Sequence, residues 1–220
     1  MAKTVFAIHT SLALVKVLGD LFKEILPGVR IVNIVDDSLL EDVRIAGHLI
    51  PSVTRRIVGY GVLAQSSGAD AIFNCCSSVG EAADALAKSV EIPVVKIDDR
   101  MAAIAVEQGT RIGVIATVST TLDPTVRLVQ SKADAIGKQI SIQRSLVDGA
   151  FDALINGDPA KHDVLVAAAI AKSASENDIV VLAQGSMARL VPGLKDKVRV
   201  PLLSSPRLGI EALKSALGIV

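Results

Sequence analysis

The sequence predicts an α/β protein of two similar lobes, each a four-stranded parallel sheet flanked by helices. Three observations predict it. Short β-branched runs alternate with longer segments of helical period, the βα rhythm of doubly wound folds. Of 220 residues 50% are hydrophobic, yet only four Phe and one Tyr are aromatic and Trp is absent. The interior must therefore be Val, Ile, Leu and Ala, which is the composition of strands covered on both faces by helices. The chain also repeats itself. The strand ending Ile8-His9-Thr10 matches the one ending Ile115-Ala116-Thr117, and the one opening Asp70-Ala71-Ile72 matches the one opening Asp178-Ile179-Val180. The two offsets differ by a single residue, as a duplication with one loop change would leave.

Taken in order, strands are expected over 3–9, 29–35, 70–75 and 93–97, then over 110–116, 138–143, 178–183 and 198–202. After the first strand, Leu14, Leu18, Leu21, Phe22 and Ile25 fall on one helical stripe, a face made to be buried. Segments 51–66, 79–90, 121–137, 158–175 and 204–217 also read as helices. The last is expected to cross back, so that 1–98 with 204–220 form the first lobe and 99–203 the second.

Composition narrows the function. There are 23 Lys+Arg and 23 Asp+Glu, with no basic excess to neutralise phosphates, so no nucleic-acid partner is expected. No apolar run approaches the ~18–20 residues of a spanning helix. The apolar N-terminus carries Lys16, Asp20, Lys23 and Glu24 at helical spacing and has no signal-peptide pattern. No membrane association is expected, and a cytoplasmic location is. His9, His48 and His162 are scattered, and the only cysteines, Cys75 and Cys76, are adjacent; neither zinc spacing nor a disulfide framework exists, and no metal is expected. No G-x-G-x-x-G or Walker loop follows any strand, so no nucleotide cofactor is expected. A small two-lobe protein of this kind is expected to be a homo-oligomer, most simply a two-fold dimer.

In open parallel sheets ligands bind beyond the carboxyl ends of the strands. The residues there are His9, Thr10 and Ser11; Asp36, Asp37 and Ser38; Asn74, Cys75, Cys76, Ser77 and Ser78; Thr117, Ser119, Thr120 and Thr121; and Gln184, Gly185 and Ser186. Hydroxyls, amides and thiols gather while cations are nearly absent, which suits a small ligand held by hydroxyl and N–H donors. Ser78-Val79-Gly80-Glu81 reads as a capping box, so a helix should begin just after Cys76. A thiol at a helix N-terminus is expected to have a lowered pKa and to serve as a base or nucleophile. The plain alternative is that both cysteines are small buried hydrophobes; Cys75, closing its strand, is expected to be one. Thr117 and Thr120 are candidates for a carboxylate, or simply turn formers. Either Thr120 or Asp123, ahead of Pro124, would cap the following helix. One of Asp36 and Asp37 is expected to be an N-cap. Arg55 and Arg56 are expected on a solvated helix face, with a carboxylate clamp the less favoured reading. His9 could donate in the site; His162, in a first helical turn, is expected to be structural.

The duplicated lobes, the Cys75-Cys76-Ser77-Ser78 turn and the Ala116-Thr117-Val118-Ser119-Thr120 turn together resemble the aspartate/glutamate/hydantoin racemase family over nearly the whole chain. That resemblance implies a cofactor-independent enzyme of two α/β lobes related by a pseudo-two-fold, with its active site in the cleft and usually one catalytic Cys per lobe. Cys76-Ser77-Ser78 is similar to the family's Cys-Asn-Thr, which implies Cys76 as acid/base. Ala116-Thr117-Val118-Ser119-Thr120 is similar to its Ala-Thr-x-x-Thr run, which implies carboxylate binding. The family's Gly-Cys-Thr falls where this chain has Ala183-Gln184-Gly185-Ser186, so the second cysteine is missing. The expected activity is racemisation or isomerisation of a small carboxylic acid such as an amino acid. Thr10, Ser11, Asn74, Ser77, Ser78, Thr117, Thr120, Gln184, Gly185 and Ser186 are its expected substrate-binding residues. A single-cysteine lyase or decarboxylase of a malonate-like acid, and a non-catalytic small-acid binding protein, are the alternatives that the missing cysteine allows.

Overall fold

The computed structural model describes residues 2–194 and 196–219. Two compact units emerge, Met1–Asp99 with Pro206–Val220, and Arg100–Ser205.

In the first unit the sheet order is β2-β1-β3-β4, from β1 (Thr4–His9), β2 (Arg30–Val35), β3 (Ala71–Asn74) and β4 (Val94–Lys96). All pairs are parallel, with Ile8 opposite both Ile34 and Asn74. Side chains alternate across the strands. Val5, Ala7, Ala71 and Phe73 therefore turn to one face, where they meet Leu18 and Phe22 of α1 (Val15–Ile25) and Ile210 and Leu213 of α10 (Ser205–Ala216). Phe22 and Phe73 pack edge-to-face, ring centroids 5.7 Å apart, which adds to their area burial. Ile8 and Ile72 turn to the other face, against α2 (Ser38–Ala46), α3 (Pro51–Ser66) and α4 (Gly80–Ala87).

The second unit has the same plan. Its order is β6-β5-β7-β8, all parallel, from β5 (Arg111–Ala116), β6 (Ser141–Leu146), β7 (Ile179–Leu182) and β8 (Leu202–Ser204). The helices are α5 (Asp99–Gln108), α6 (Ser119–Ala135), α7 (Ala150–Ile155), α8 (Pro159–Glu176) and the short α9 (Val191–Leu194). The aspartates that mark the repeat do the same work in both units. Asp70 accepts the Thr4 N–H at 2.7 Å and pairs with Lys3. Asp178 accepts the Thr110 and Arg111 N–H groups at 3.1 and 2.9 Å and pairs with Arg111. Each carboxylate thus pins the start of its central strand to the neighbour, and backbone and guanidinium donors hold that of Asp178 well below the usual carboxylate range.

The structure differs from expectation at two strands and three helices. The strand expected at 138–143 lies at Ser141–Leu146 and the one expected at 198–202 at Leu202–Ser204. Pairing with buried β5 and β7 sets these edge registers, and an edge strand's own hydrophobic pattern is too weak to do so. Helices α5, α7 and α9 were not expected; each is short, and its helical stripe is too brief to stand out in the sequence, while α2 follows the cap expected at Asp36 or Asp37, with Asp37 as the cap residue. Among the described residues no helix is long and apolar enough to cross a membrane.

Candidate active site

At the carboxyl edge of the first sheet, the residues that follow three adjacent strands converge on one turn. Cys76 leaves β3 in extended conformation (φ −141°, ψ 123°), and Ser77–Val79 then form a single 3-10 turn leading into α4. Cys76 is the cap residue of that turn, and α4 begins at Gly80 with Val79, rather than Ser78, in the cap position. The tight turn folds the Ser78 and Val79 N–H groups back onto the cysteine sulfur, which also accepts the Ser78 and Thr10 hydroxyls. Behind it, Asn74 donates from Nδ2 to the Cys76 carbonyl at 2.9 Å, and the Ser77 hydroxyl donates to the carboxyl of Asp98. Thr10, Asn74, Ser77 and Ser78 are thus brought together around Cys76. Ser11 is not; it accepts the Ala13 N–H at 3.2 Å as the cap of the next turn.

The expected lowering of the Cys76 pKa is not found. The donors are in place, but the sulfur packs against the apolar core under α3 and α4, and burial pushes the thiol above its ordinary value despite the hydrogen bonds to Thr10, Ser78 and Val79 that oppose it. Desolvation of a thiolate outweighs neutral donors here. The resting group is therefore a thiol, a proton donor surrounded by groups that would hold the thiolate once it forms.

Cys75 points to the opposite face. It is 4% exposed within the core of α1 and α10, its sulfur lies 3.7 Å from the Phe73 carbonyl, and burial pushes its thiol well up. His9 goes with it: its Nε2 lies 3.8 Å from the Cys75 sulfur and 2.9 Å from Asn33 Oδ1. Burial lowers its pKa against that Asn33 bond, and the ring is engaged away from Cys76. Asp36 is occupied as well, accepting from Tyr60 at 2.6 Å, from Ser38 at 2.7 Å and from Arg56. Burial raises its pKa, but these three bonds more than offset it and leave it low. Arg56, expected on a solvated face, also pairs with Asp42 at 3.0 Å, so the network ties α3 to α2.

Sequence reasoning missed Asp98. It is 2% exposed, follows β4, and has one carboxyl oxygen, Oδ1, without a hydrogen-bond partner. The signal was present, since Asp98-Asp99 directly follows the strand expected to end at Ile97 and so belongs to the same edge.

The carboxyl edge of the second unit is polar but carries no thiol. Thr117 donates its N–H and hydroxyl to Gln184 Oε1 at 2.6 and 2.9 Å. Thr120 is buried with its hydroxyl unpartnered. Gly185 and Ser186 open the 3-10 turn Gly185–Leu190. Neither Thr120 nor Asp123 caps α6: the cap residue is Val118, Pro124 lies inside the helix, and Asp123 pairs with Arg144. The chain is extended at Val118, so the helix starts earlier than the proline suggests. His162 is fully buried in α8, its Nδ1 2.8 Å from Asp163 Oδ1, and Asp163 in turn pairs with Arg189. Among the described residues no group of His, Cys, Asp and Glu is placed to hold a metal ion.

Comparison with known proteins agrees with the fold. The family model described as Asp/Glu/Hydantoin racemase matches residues 5–213. Among solved structures, allantoin racemase from Klebsiella pneumoniae superposes with a TM-score of 0.70 at 16% identity, covering 100% of this chain and 90% of that one. A glutamate racemase isoform from Bacillus anthracis gives 0.73 at 17% identity, covering 98% and 82%. Arylmalonate decarboxylase gives 0.61 at 14% identity, covering 98% and 93%. At such identities the likeness is one of fold. No curated protein matches the chain significantly.

Proposed function

The chain belongs to the Asp/Glu/Hydantoin racemase family, and from that premise we propose that it is a cofactor-independent racemase or isomerase of a small carboxylic acid, with Cys76 as its acid/base. The observation that supports this is the Cys76 turn, where two hydroxyls and two backbone N–H groups converge on one sulfur. Such an array stabilises the thiolate that must exist at one stage of proton transfer. In the proposed cycle Cys76 first gives its thiol proton to water, the thiolate takes the α-proton, and the C–H electron pair moves into the carboxylate to give an enediolate. A proton then returns to the α-carbon. In the first unit the Ser77 N–H is proposed as a donor to the substrate carboxylate; in the second unit the proposed donors are the unpartnered Thr120 hydroxyl, Gly185 and Ser186, with Thr117 joining them only on releasing Gln184. Gln184 is proposed to hold Thr117 in place.

A second reading has its own support. Two-face racemisation needs an acid opposite the first base; on the family resemblance Gln184-Gly185-Ser186 stand in for the motif that carries the second cysteine, and an amide cannot serve as that acid. Cys76 at rest is also a thiol. Both suit a lyase in which a malonate-like acid loses carbon dioxide, the broken bond's electrons form the enediolate, and Cys76 protonates one face before regaining a proton from water.

Proton NMR in D2O decides between them, using both enantiomers of common amino acids, hydantoins and substituted malonates, with Cys76→Ala in parallel. Loss of the α-hydrogen signal with inversion supports the racemase. Carbon dioxide release, or exchange on a single face, supports the lyase. Full turnover by Cys76→Ala refutes both.

A further inference from the structure

Asp98 is a buried carboxyl that the chemistry at Cys76 has so far left unused. It is 2% exposed. β4 delivers it to the carboxyl edge, where the Ile97 N–H bonds the Asn74 carbonyl at 3.0 Å, so the chain passes beside the start of the Cys76 turn. One part of its carboxyl receives the Ser77 hydroxyl, while Oδ1 has no partner. A buried oxygen without a partner is unfavourable and calls for a physical explanation.

We propose that Asp98 is a positioning residue for Cys76: it anchors Ser77, and with it the 3-10 turn that aims the Ser78 and Val79 N–H groups at the sulfur, and its charge sets how readily that sulfur gives up a proton. The inference rests on Cys76 being the reacting group. Ser77 is both the first residue of the turn and the neighbour of Cys76, so a tether on its side chain fixes the direction in which the following N–H groups point. A carboxylate bonded to the residue next to Cys76 would oppose ionisation of the thiol. The other charges acting on Asp98 are Lys96, whose ammonium is bonded to Asp84 at 2.7 Å, and Asp99; on the sulfur's own side stand Thr10, Ser78 and the buried Cys75. Burial favours the neutral form of Asp98, while the Ser77 hydroxyl and the Lys96 ammonium favour the charged one.

The test needs no substrate. Alkylation of Cys76 by iodoacetamide is followed against pH by mass spectrometry, with peptide fragmentation separating it from Cys75. Asp98→Asn keeps an oxygen for the Ser77 hydroxyl and removes the charge; the midpoint should fall by on the order of one pH unit. Ser77→Ala keeps the charge and frees the turn, so the midpoint should rise and alkylation at a given pH should slow. A merely structural role would alter stability and leave both midpoints where they are. An unchanged or raised midpoint in a folded Asp98→Asn overturns the proposal; if that variant does not fold, Ser77→Ala decides it, an unchanged midpoint being the overturning result. Because the reagent reads the thiol directly, failure here leaves the D2O result standing, and failure there leaves this one.

Discussion

Two glycines two residues apart in α3 should respond to alanine with opposite signs. Gly59 faces open space, with nothing within 4 Å of an added Cβ, whereas a Cβ at Gly61 would stand 2.1, 2.6 and 2.8 Å from Cδ1, Cδ2 and Cγ of Leu86. Both substitutions gain helix propensity, about 0.5–1 kcal/mol. At Gly59 nothing opposes that gain, and Gly59→Ala should be more stable by about that amount. At Gly61 the methyl enters the α3–α4 contact. Leu86 is 0% exposed and held among Val53, Ile57 and Ala82, so it cannot swing away, and overpacking of this kind costs about 1–3 kcal/mol. The net expectation for Gly61→Ala is a loss of roughly 0.5–2 kcal/mol. Urea unfolding followed by far-UV circular dichroism measures both, provided the slopes stay equal. Leu86→Ala supplies the control: it should lose about 2–5 kcal/mol alone, and in that background Gly61→Ala should become stabilising. The reasoning is refuted if Gly61→Ala unfolds at or above the wild-type midpoint, or if its effect is the same with and without Leu86.

The second unit offers two further tests. Gln184→Leu should destabilise by about 1–3 kcal/mol, because the Thr117 N–H loses its acceptor at a buried position; denaturant unfolding reads the loss, and an unchanged midpoint would count against the bond. Asp163 gives a pH dependence. The Arg189 guanidinium and the His162 ring hold its pKa down against burial, so its contribution is present above the ordinary aspartate range and lost as pH falls through the lowered folded value. Thermal melts of Asp163→Asn should therefore lie below wild type at neutral pH and converge with it in acid; a gap that persists in strong acid would contradict the assignment.

Much of the site was legible in the sequence because βα proteins put chemistry at strand ends. Thr10, Asn74, Cys76, Ser77 and Ser78 could be picked out by position alone, and four of them converge on the fifth. Asp98 escaped although its strand was expected, because an acid just past a strand end reads as an ordinary turn residue until its burial and its tie to Ser77 are seen. Arg56 and Tyr60 escaped because their partner, Asp36, lies across a loop and a helix, a separation that no local pattern encodes. His9 shows the converse. Its place at a strand end suggested the site, but alternation along β1 sends its ring to the Cys75 face.

The sequence by itself determined the fold class, the internal repeat and the position of the central strands. These follow from short-range periodicity, and β1, β3, β5 and β7 are buried on both faces, so their apolar runs leave little choice. The tertiary structure alone decided the registers of the edge strands, which borrow their alignment from a neighbour. It also decided which of two adjacent cysteines meets the polar turn, a one-residue matter of which face of the sheet each side chain takes. Finally, it decided the protonation of Cys76. A helix start is a local feature that predicts a thiolate, but burial is a property of the whole unit, and in this protein it is the stronger of the two effects.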